Sequence, residues 1–346
     1  MLKNITQNRY ANMYLNAADK HGLKYTILDE EIGLVEIYND HKTIQISSNV
    51  LDLNSQLSGF LASNKMKTSK LLQKSFIPVP EFKTFSEVEK AKKYALELAQ
   101  NKQKFVTKPL SGSLSVGITV DPRSKNEVLD AIDESFNQSS EIIIEKYIKG
   151  KHYRVTMVDD EIIAVTERRA AHVVADGKKT IPELIEDKNV MRVKQDLPLI
   201  VLRNKDKNYL LTKNIDFDTV YPKGKKIILQ LGCDLDIGGE RERIDINKIP
   251  KVNKDLFIQA MQTLYLRFGG IDYISPDIYT PYIELESAIN EINGAPDQDV
   301  HLKDSDIDDN YSSEKILKKI FNIENTEAVS FTMSSTLPVK DLIPSV

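Results

Sequence analysis

The sequence predicts an α+β protein, on three observations. Helix-period segments opened by Ser or Thr, with Glu three residues on, alternate with short β-branched runs. Around residues 105–146 a strand, a glycine-bearing loop, a second strand, a helix and a third strand make up a compact αβ layer. After Gly150 the texture changes to long alternating runs, "HYRVTMV" and "EIIAVTERR", joined at Asp159 and Asp160 as an antiparallel hairpin.

Taken in order, a helix over "NRYANMYLNAADKHG" and strands at "KYTILDE", "GLVEIYND" and "KTIQISS" make a small N-terminal α/β lobe, residues 1–63. A helix from Met66 to Ser75 is stopped by the prolines of "IPVPEF". "SEVEKAKKYALELAQ" opens with a capping box, Ser86 with Glu89, and "SKNEVLDAIDESF" with another, Ser124 with Glu127. Between them lie the strand "KFVTKPL", the loop "SGSLSVG" and the strand "GITV"; the strand "EIIIEKYIKG" closes this second unit, residues 64–148. The third unit, 149–302, holds the hairpin, a helix capped by Thr180 with Glu183, and a charged irregular stretch at 188–226. Its helix "NKDLFIQAMQTLYLRF" should end at Gly269 and Gly270, before the strands "IDYISPDIYT" and "YIELESAINEING". Residues 303–346 carry a short helix near Ser313 to Phe321 and a tail.

A chain of 346 residues with net charge −4 gives no overall basicity for nucleic acid, so small-molecule partners are expected first. The single cysteine, Cys233, excludes an intrachain disulfide framework and a cysteine-rich zinc site. "MLKNITQNRY" lacks a signal-peptide core and no apolar run reaches the ~18 residues of a membrane span, so no membrane partner and a cytoplasmic location are expected.

The residues that stand out chemically begin with Glu291 and Asn293, which interrupt an apolar strand. Two apart, they project from one face and bring a carboxylate and an amide oxygen to one point. If the last two strands pair as a hairpin, Asp277 stands beside them, completing an oxygen-only site suited to Mg²⁺ or Mn²⁺. Lys108 ends a strand just before the small residues Ser111, Gly112, Ser113, Ser115 and Gly117, whose backbone N–H groups could approach anionic oxygens; this is not the P-loop order, because the lysine precedes the loop. Lys65 lies near a helix start, and Glu145 and Lys146 end a strand where the chain changes lobe.

The series lysine before a helix, lysine before a Gly/Ser loop, apolar strand ending Glu-Lys-aromatic, then Asp followed by Glu-x-Asn resembles the ATP-grasp superfamily. Within it the likeness is greatest to the ATP-grasp module of cyanophycin synthetases and fused bacterial glutathione synthetases, with D-alanine:D-alanine ligase more distant. It is carried by "EKYIKGKHYRVTMVDDEIIAVTERRAAHVVADGKKTIPELIEDKN", "GGIDYISPDI" and "EINGAPDQDVHL", and covers about residues 64–302. The resemblance implies the ATP-grasp fold, two α/β subdomains clasping ATP between antiparallel sheets. It implies Lys65 and Lys108 on ATP phosphates, Ser111 to Gly117 as a lid, Glu145, Lys146, Tyr147 and Ile148 around adenine, and Asp277, Glu291 and Asn293 on Mg²⁺. Arg154 would face phosphate as a catalytic group with Lys108, and Arg168 and His172 would line the substrate side. Where relatives place an acid before the first lysine this chain has Asn64; His152 stands where they often place an acidic ribose contact; and Asp234 and Asp236 occupy polar positions that read Asn-Leu-Ser in cyanophycin synthetases. Carboxylates there would repel an anionic acyl phosphate, unless they instead select a cationic or amine-bearing substrate.

The activity implied is ATP-dependent carboxylate–amine ligation through an acyl phosphate. The alternatives are addition of an amino acid to a γ-glutamyl dipeptide, in the manner of a glutathione synthetase, or a catalytically silent ATP-binding sensor or assembly subunit. Many relatives are homo-oligomers, which leaves that state open here.

Overall fold

In the computed structural model, which describes residues 3–110, 116–194, 197–230, 232–233, 235–301 and 310–323, helix α1 (Arg9–Lys20) is followed by β1 (Lys24–Asp29), β2 (Leu34–Tyr38), β3 (Thr43–Ser47) and β4 (Val50–Leu51). These strands pair in chain order as an antiparallel sheet. Alternation along β2 and β3 turns Val35, Ile37, Ile44 and Ile46 toward Tyr14 and Leu15 of α1. Asn8 caps α1, its side-chain oxygen accepting from the N–H groups of Tyr10 and Ala11.

Two helices follow, α2 (Gln56–Ser63) and α3 (Lys65–Lys74). The first was not anticipated: it is short, and its one start signal is Ser55, whose hydroxyl accepts from Ser58 N–H. The second unit is built from β5 (Phe82–Phe85), α4 (Val88–Gln100), β6 (Phe105–Pro109), β7 (Thr119–Val120), α5 (Lys125–Gln138) and β8 (Ile142–Lys146). Its sheet has the order β5-β8-β6-β7, covered by α4 and α5 through Ala91, Ala95, Val128 and Ile132 against Phe105, Ile142 and Ile144. The Ser124–Glu127 capping box forms as the sequence predicts. The Ser86–Glu89 box does not: Phe85 still pairs with Ile142, and α4 begins only after Glu87, which makes no side-chain cap.

The third unit contains β9 (Lys151–Val158), β10 (Glu161–Arg169), β11 (His172–Val174), α6 (Ile181–Lys194), α7 (Asn204–Thr212), β12 (Lys226–Ile228), β13 (Glu240–Arg243), α8 (Lys251–Thr263), β14 (Phe268–Ser275) and β15 (Ala288–Asn293). The main sheet is antiparallel with the order β13-β10-β9-β14-β15. Strands β11 and β12 form a separate ribbon, and the stretch expected to be irregular contributes the end of α6 and all of α7 to its small core, with Val173, Ile181, Ile200, Leu210 and Ile227. Helix α9 (Tyr311–Phe321) lies with α1 in the core of the N-terminal lobe.

The two faces of the main sheet differ in chemistry. Val155, Met157, Val165, Ile271, Tyr273, Ile289 and Ile292 form one face and pack on Phe257, Ala260 and Met261 of α8 and Leu72 of α3. Each large side chain buried there contributes about 2 kcal/mol, so this face alone can anchor the sheet. On the other face only one end is apolar: Val158, Ala164 and Phe268 carry the N-terminal lobe. Gly269 and Gly270, read as a helix stop, instead lie inside β14, and α8 ends earlier, at Leu264. Their lack of a side chain serves packing: a Cβ on Gly269 would stand 2.9 Å from Met261 Cε, and one on Gly270 2.6 Å from Pro296 Cβ.

One lobe side chain fixes the ends of β14 and β15. The Asn54 side-chain oxygen accepts from the N–H groups of Arg267 and Phe268, and its amide donates to the carbonyls of Phe268 and Gly294. Asn54→Ala should lower stability by about 2 kcal/mol, read as a shifted urea midpoint with unchanged m.

Candidate active site

Directly opposed residues of antiparallel strands share a face, so the register can be read across the sheet. Arg243 on β13 opposes Thr166 on β10, Thr166 opposes Arg154 on β9, Arg154 opposes Asp272 on β14, and Asp272 opposes Glu291 on β15. One row on, Arg241 opposes Arg168 and Arg168 opposes His152; on the other side Thr156 opposes Gly270 and Gly270 opposes Asn293. These polar residues, drawn from all five strands, therefore share one face of the sheet, the one away from α8.

The register corrects one expectation. Asp272 is the carboxylate opposite Glu291, whereas Asp277 lies beyond the end of β14, in the connection to β15. There its carboxylate accepts from Tyr279 N–H at 3.2 Å and Thr280 Oγ1 at 2.9 Å, as the head of a tight turn. Glu291 and Asn293 do project together from β15, as the spacing predicts.

Asp272 is almost fully buried and held by two guanidiniums. Arg154 grips it side-on, Nε to Oδ1 at 2.6 Å and Nη2 to Oδ2 at 3.4 Å, and Arg168 Nη2 lies 3.0 Å from Oδ2. Burial alone would raise the Asp272 pKa; Arg154 and Arg168 outweigh it and hold the carboxyl at about 2. The folded pKa thus lies below the unfolded value of about 3.9, so the stabilisation is complete above pH ~4 and lost as pH falls toward 2. The stability gap between wild type and Asp272→Asn should narrow by about 2 kcal/mol across that window, read from urea unfolding at stepped pH.

The other candidate cations are also paired. Lys65, first residue of α3, sits 3.5 Å from Glu291 Oε1, and Asn64 caps the helix by accepting from Lys67 N–H. Lys108 Nζ lies 2.7 Å from Glu145 Oε2, both side chains nearly buried between β6 and β8. Lys146 reaches Glu286 at 2.7 Å, and Ile148 packs on Ile274 and Ala288, tying the end of the small sheet to the main one. The Tyr147 N–H donates to the Lys104 carbonyl, and burial raises the pKa of its phenol.

Of the other predicted residues, Ser111, Gly112, Ser113, Ser115 and Asp234 lie outside the described residues. Gly117 has φ +72° and its carbonyl accepts from Ser135 Oγ, which is the geometry of a turn. His172 sits apart on β11, 3.5 Å from Glu240, and burial lowers its pKa. Asp236 is exposed in a 3₁₀ turn, and with burial and Asp297 it raises the pKa of Asp299.

Sequence reasoning missed several participants. In "ERER" of β13 alternation puts Arg241 and Arg243 on the polar face, where they donate to the carbonyls of Asp299 and His301. His301 is fully buried, its ring nitrogens 2.7 Å from Thr156 Oγ1 and 2.9 Å from Thr166 Oγ1. Burial, reinforced by Arg154 and Arg243, keeps that imidazole neutral. These contacts fasten the segment that follows Asn293 back onto the sheet. The Arg168 Nε is buried and finds no acceptor among the described residues. A cleft of about 700 Å³ opens elsewhere, at the sheet edge between β10, β13, α8 and α9, and none of the predicted site residues lines it.

Residues 62–191 match the family model of the ATP-grasp domain. The chain is 31% identical over 298 residues to the cyanophycin synthetase of Trichormus variabilis, covering 83% of this chain and 32% of that protein. It is 26% identical over 314 residues to the glutathione biosynthesis bifunctional protein GshAB of Clostridium perfringens, covering 88% of this chain and 40% of that protein. Among solved structures, a bifunctional glutathione synthetase from Pasteurella multocida superposes with TM-score 0.62 at 22% identity, covering 90% of this chain and 44% of that one. The chain thus spans less than half the length of these relatives. With the two antiparallel sheets joined through Ile148, these likenesses establish that the chain has the ATP-grasp fold.

Proposed function

We propose that this chain is an ATP-dependent carboxylate–amine ligase. A substrate carboxylate attacks the γ-phosphoryl group of ATP, giving an acyl phosphate and ADP; an amine then attacks the acyl carbon, phosphate leaves with both electrons of the C–O bond, and the nitrogen releases a proton to give the amide. The carrying observation is the polar sheet face, where Arg154 and Arg168 stand beside the oxygen donors Asp272, Glu291 and Asn293.

Those donors fit a hard divalent cation. Two carboxylates and an amide oxygen suit Mg²⁺ or Mn²⁺, and among the described residues no group of three or more His, Cys, Asp and Glu forms a rival site. When bound, the cation would offset charge on the phosphoryl oxygens. Lys65, Lys108 and Arg154 would hold the phosphates in line, and the Arg168 Nε would donate to an anionic oxygen of phosphate or substrate. The segment from Glu145 to Ile148, where one sheet hands over to the other, would hold the adenine. No step needs a protein nucleophile; positioning and charge neutralisation suffice. We assign His172 and Asp236 to the acceptor side as a reading supported by the resemblance alone. No helix among the described residues is long and apolar enough to cross a membrane.

The test is ADP release with ATP and Mg²⁺ across pairs of amino acids and dipeptides, γ-glutamyl dipeptides included, with products weighed by mass spectrometry. The expected outcome is pair-dependent release and a product equal to both substrates minus water. Nucleotide binding with no pair stimulating release would favour a binding subunit over a ligase.

A further inference from the structure

The ion pairs of the site follow one pattern. Arg154 and Arg168 face Asp272, and Lys65 faces Glu291, so each of these cations assigned to phosphate or substrate is matched to a carboxylate assigned to metal. Building on the ligase reading, we propose that Asp272 is a specificity-determining residue that rejects nucleotide arriving without a divalent cation.

The reasoning is one of charge exchange. A metal-free polyphosphate brings only negative charge. To reach the two guanidiniums it must displace Asp272 or lie beside it, and the Asp272 side chain is only 11% exposed, so solvent screens little of the repulsion. Nucleotide with a divalent cation meets no such penalty. Asp272 and Glu291 would hold the cation, Arg154, Arg168 and Lys65 would be left for the phosphates, and every buried charge would keep a partner. Asp272 dominates because Glu291, 27% exposed and 3.5 Å from Lys65, forms the weaker and better-hydrated pair.

The inference runs against the usual effect of deleting a metal ligand: Asp272→Asn should strengthen the binding of metal-free nucleotide. The experiment is calorimetric titration with ADP, in EDTA and in excess Mg²⁺, for wild type and Asp272→Asn. ADP does not turn over, so the readout is independent of activity. Wild type is expected to bind at least about tenfold more weakly in EDTA than in Mg²⁺. The variant should bind ADP in EDTA about tenfold more tightly than wild type does, and gain little from Mg²⁺. Metal-free affinity that is unchanged or lower in the variant overturns the selector role and leaves the ligase reading standing. Wild type that binds no ADP even with Mg²⁺ overturns both. Should circular dichroism show the variant unfolded, Glu291→Gln releases Lys65 instead and is expected to move metal-free affinity the same way, by about threefold; no change or a loss there overturns the proposal.

Discussion

Asp272→Asn should reduce kcat/KM for amide formation by about 10³-fold, whereas Asp277→Ala should leave it within about twofold. The loss corresponds to about 4 kcal/mol of transition-state stabilisation and has two sources. A carboxylate that faces Glu291 across the β14–β15 ladder is removed, and the guanidiniums of Arg154 and Arg168 lose the partner that fixes their orientation. Asp277 has neither role. Its oxygens are taken by the Tyr279 N–H and the Thr280 hydroxyl, so its removal should loosen one turn at a cost of about 1 kcal/mol in stability. Steady-state ADP release by the two variants, under conditions where both are folded, separates them. A large loss in Asp277→Ala with little change in Asp272→Asn would mean that the hairpin register is wrong, and the metal assignment with it.

Why the sequence pointed to Asp277 rather than Asp272 as the residue beside Glu291 is a matter of what strand periodicity can and cannot encode. Alternation within one strand is local, so Glu291 and Asn293 were legible as a pair on one face. Pairing between strands depends on where the chain reverses. Here the connection is the segment 276–287, which contains a 3₁₀ turn, and a bulge follows between Asp272 and Tyr273 in the ladder. Counting residues back from Glu291 therefore selects no partner. A signal was present in "GGIDYIS", where a lone charge two positions after Gly270 sits in an otherwise apolar run.

The same distinction runs through the rest of the fold. The Ser124–Glu127 box depends on near neighbours and was read correctly, and the helix read from Met66 begins one residue earlier, at Lys65. Arg241, Arg243 and His301 were not, because their meaning comes from β13 joining the sheet beside β10 and from the segment 299–301 folding back over Thr156 and Thr166. Gly269 and Gly270 were misread for a related reason. After a helical period a glycine pair reads as a stop, whereas the contacts that require it come from Met261 on one face and Pro296 on the other.

That last contact makes Gly270 the position where the smallest change should do the most damage. In β14 it lies between Thr156 and Asn293, and its missing side chain would point onto the polar face. A Cβ there would meet Pro296 Cβ at 2.6 Å, Arg154 Cδ at 3.0 Å and Pro296 Cγ at 3.2 Å, well inside the ~3.5–4.0 Å at which carbons attract. Relief must come from one of two groups. Repuckering the Pro296 ring moves Cγ far more than Cβ, and moving the whole ring shifts the segment that leaves Asn293. Moving the Arg154 stem drags the Nε off Asp272. Gly270→Ala should therefore cost about 3 kcal/mol of stability and at least about tenfold in ADP release. Gly59→Ala supplies the contrast. Gly59 lies within α2, and a Cβ there meets nothing within 4 Å, so the substitution should be neutral or stabilising by up to about 1 kcal/mol. Urea unfolding and turnover of the two variants side by side test the point, and a Gly270→Ala protein as stable and as active as wild type would show that Pro296 and Arg154 do not confine that face.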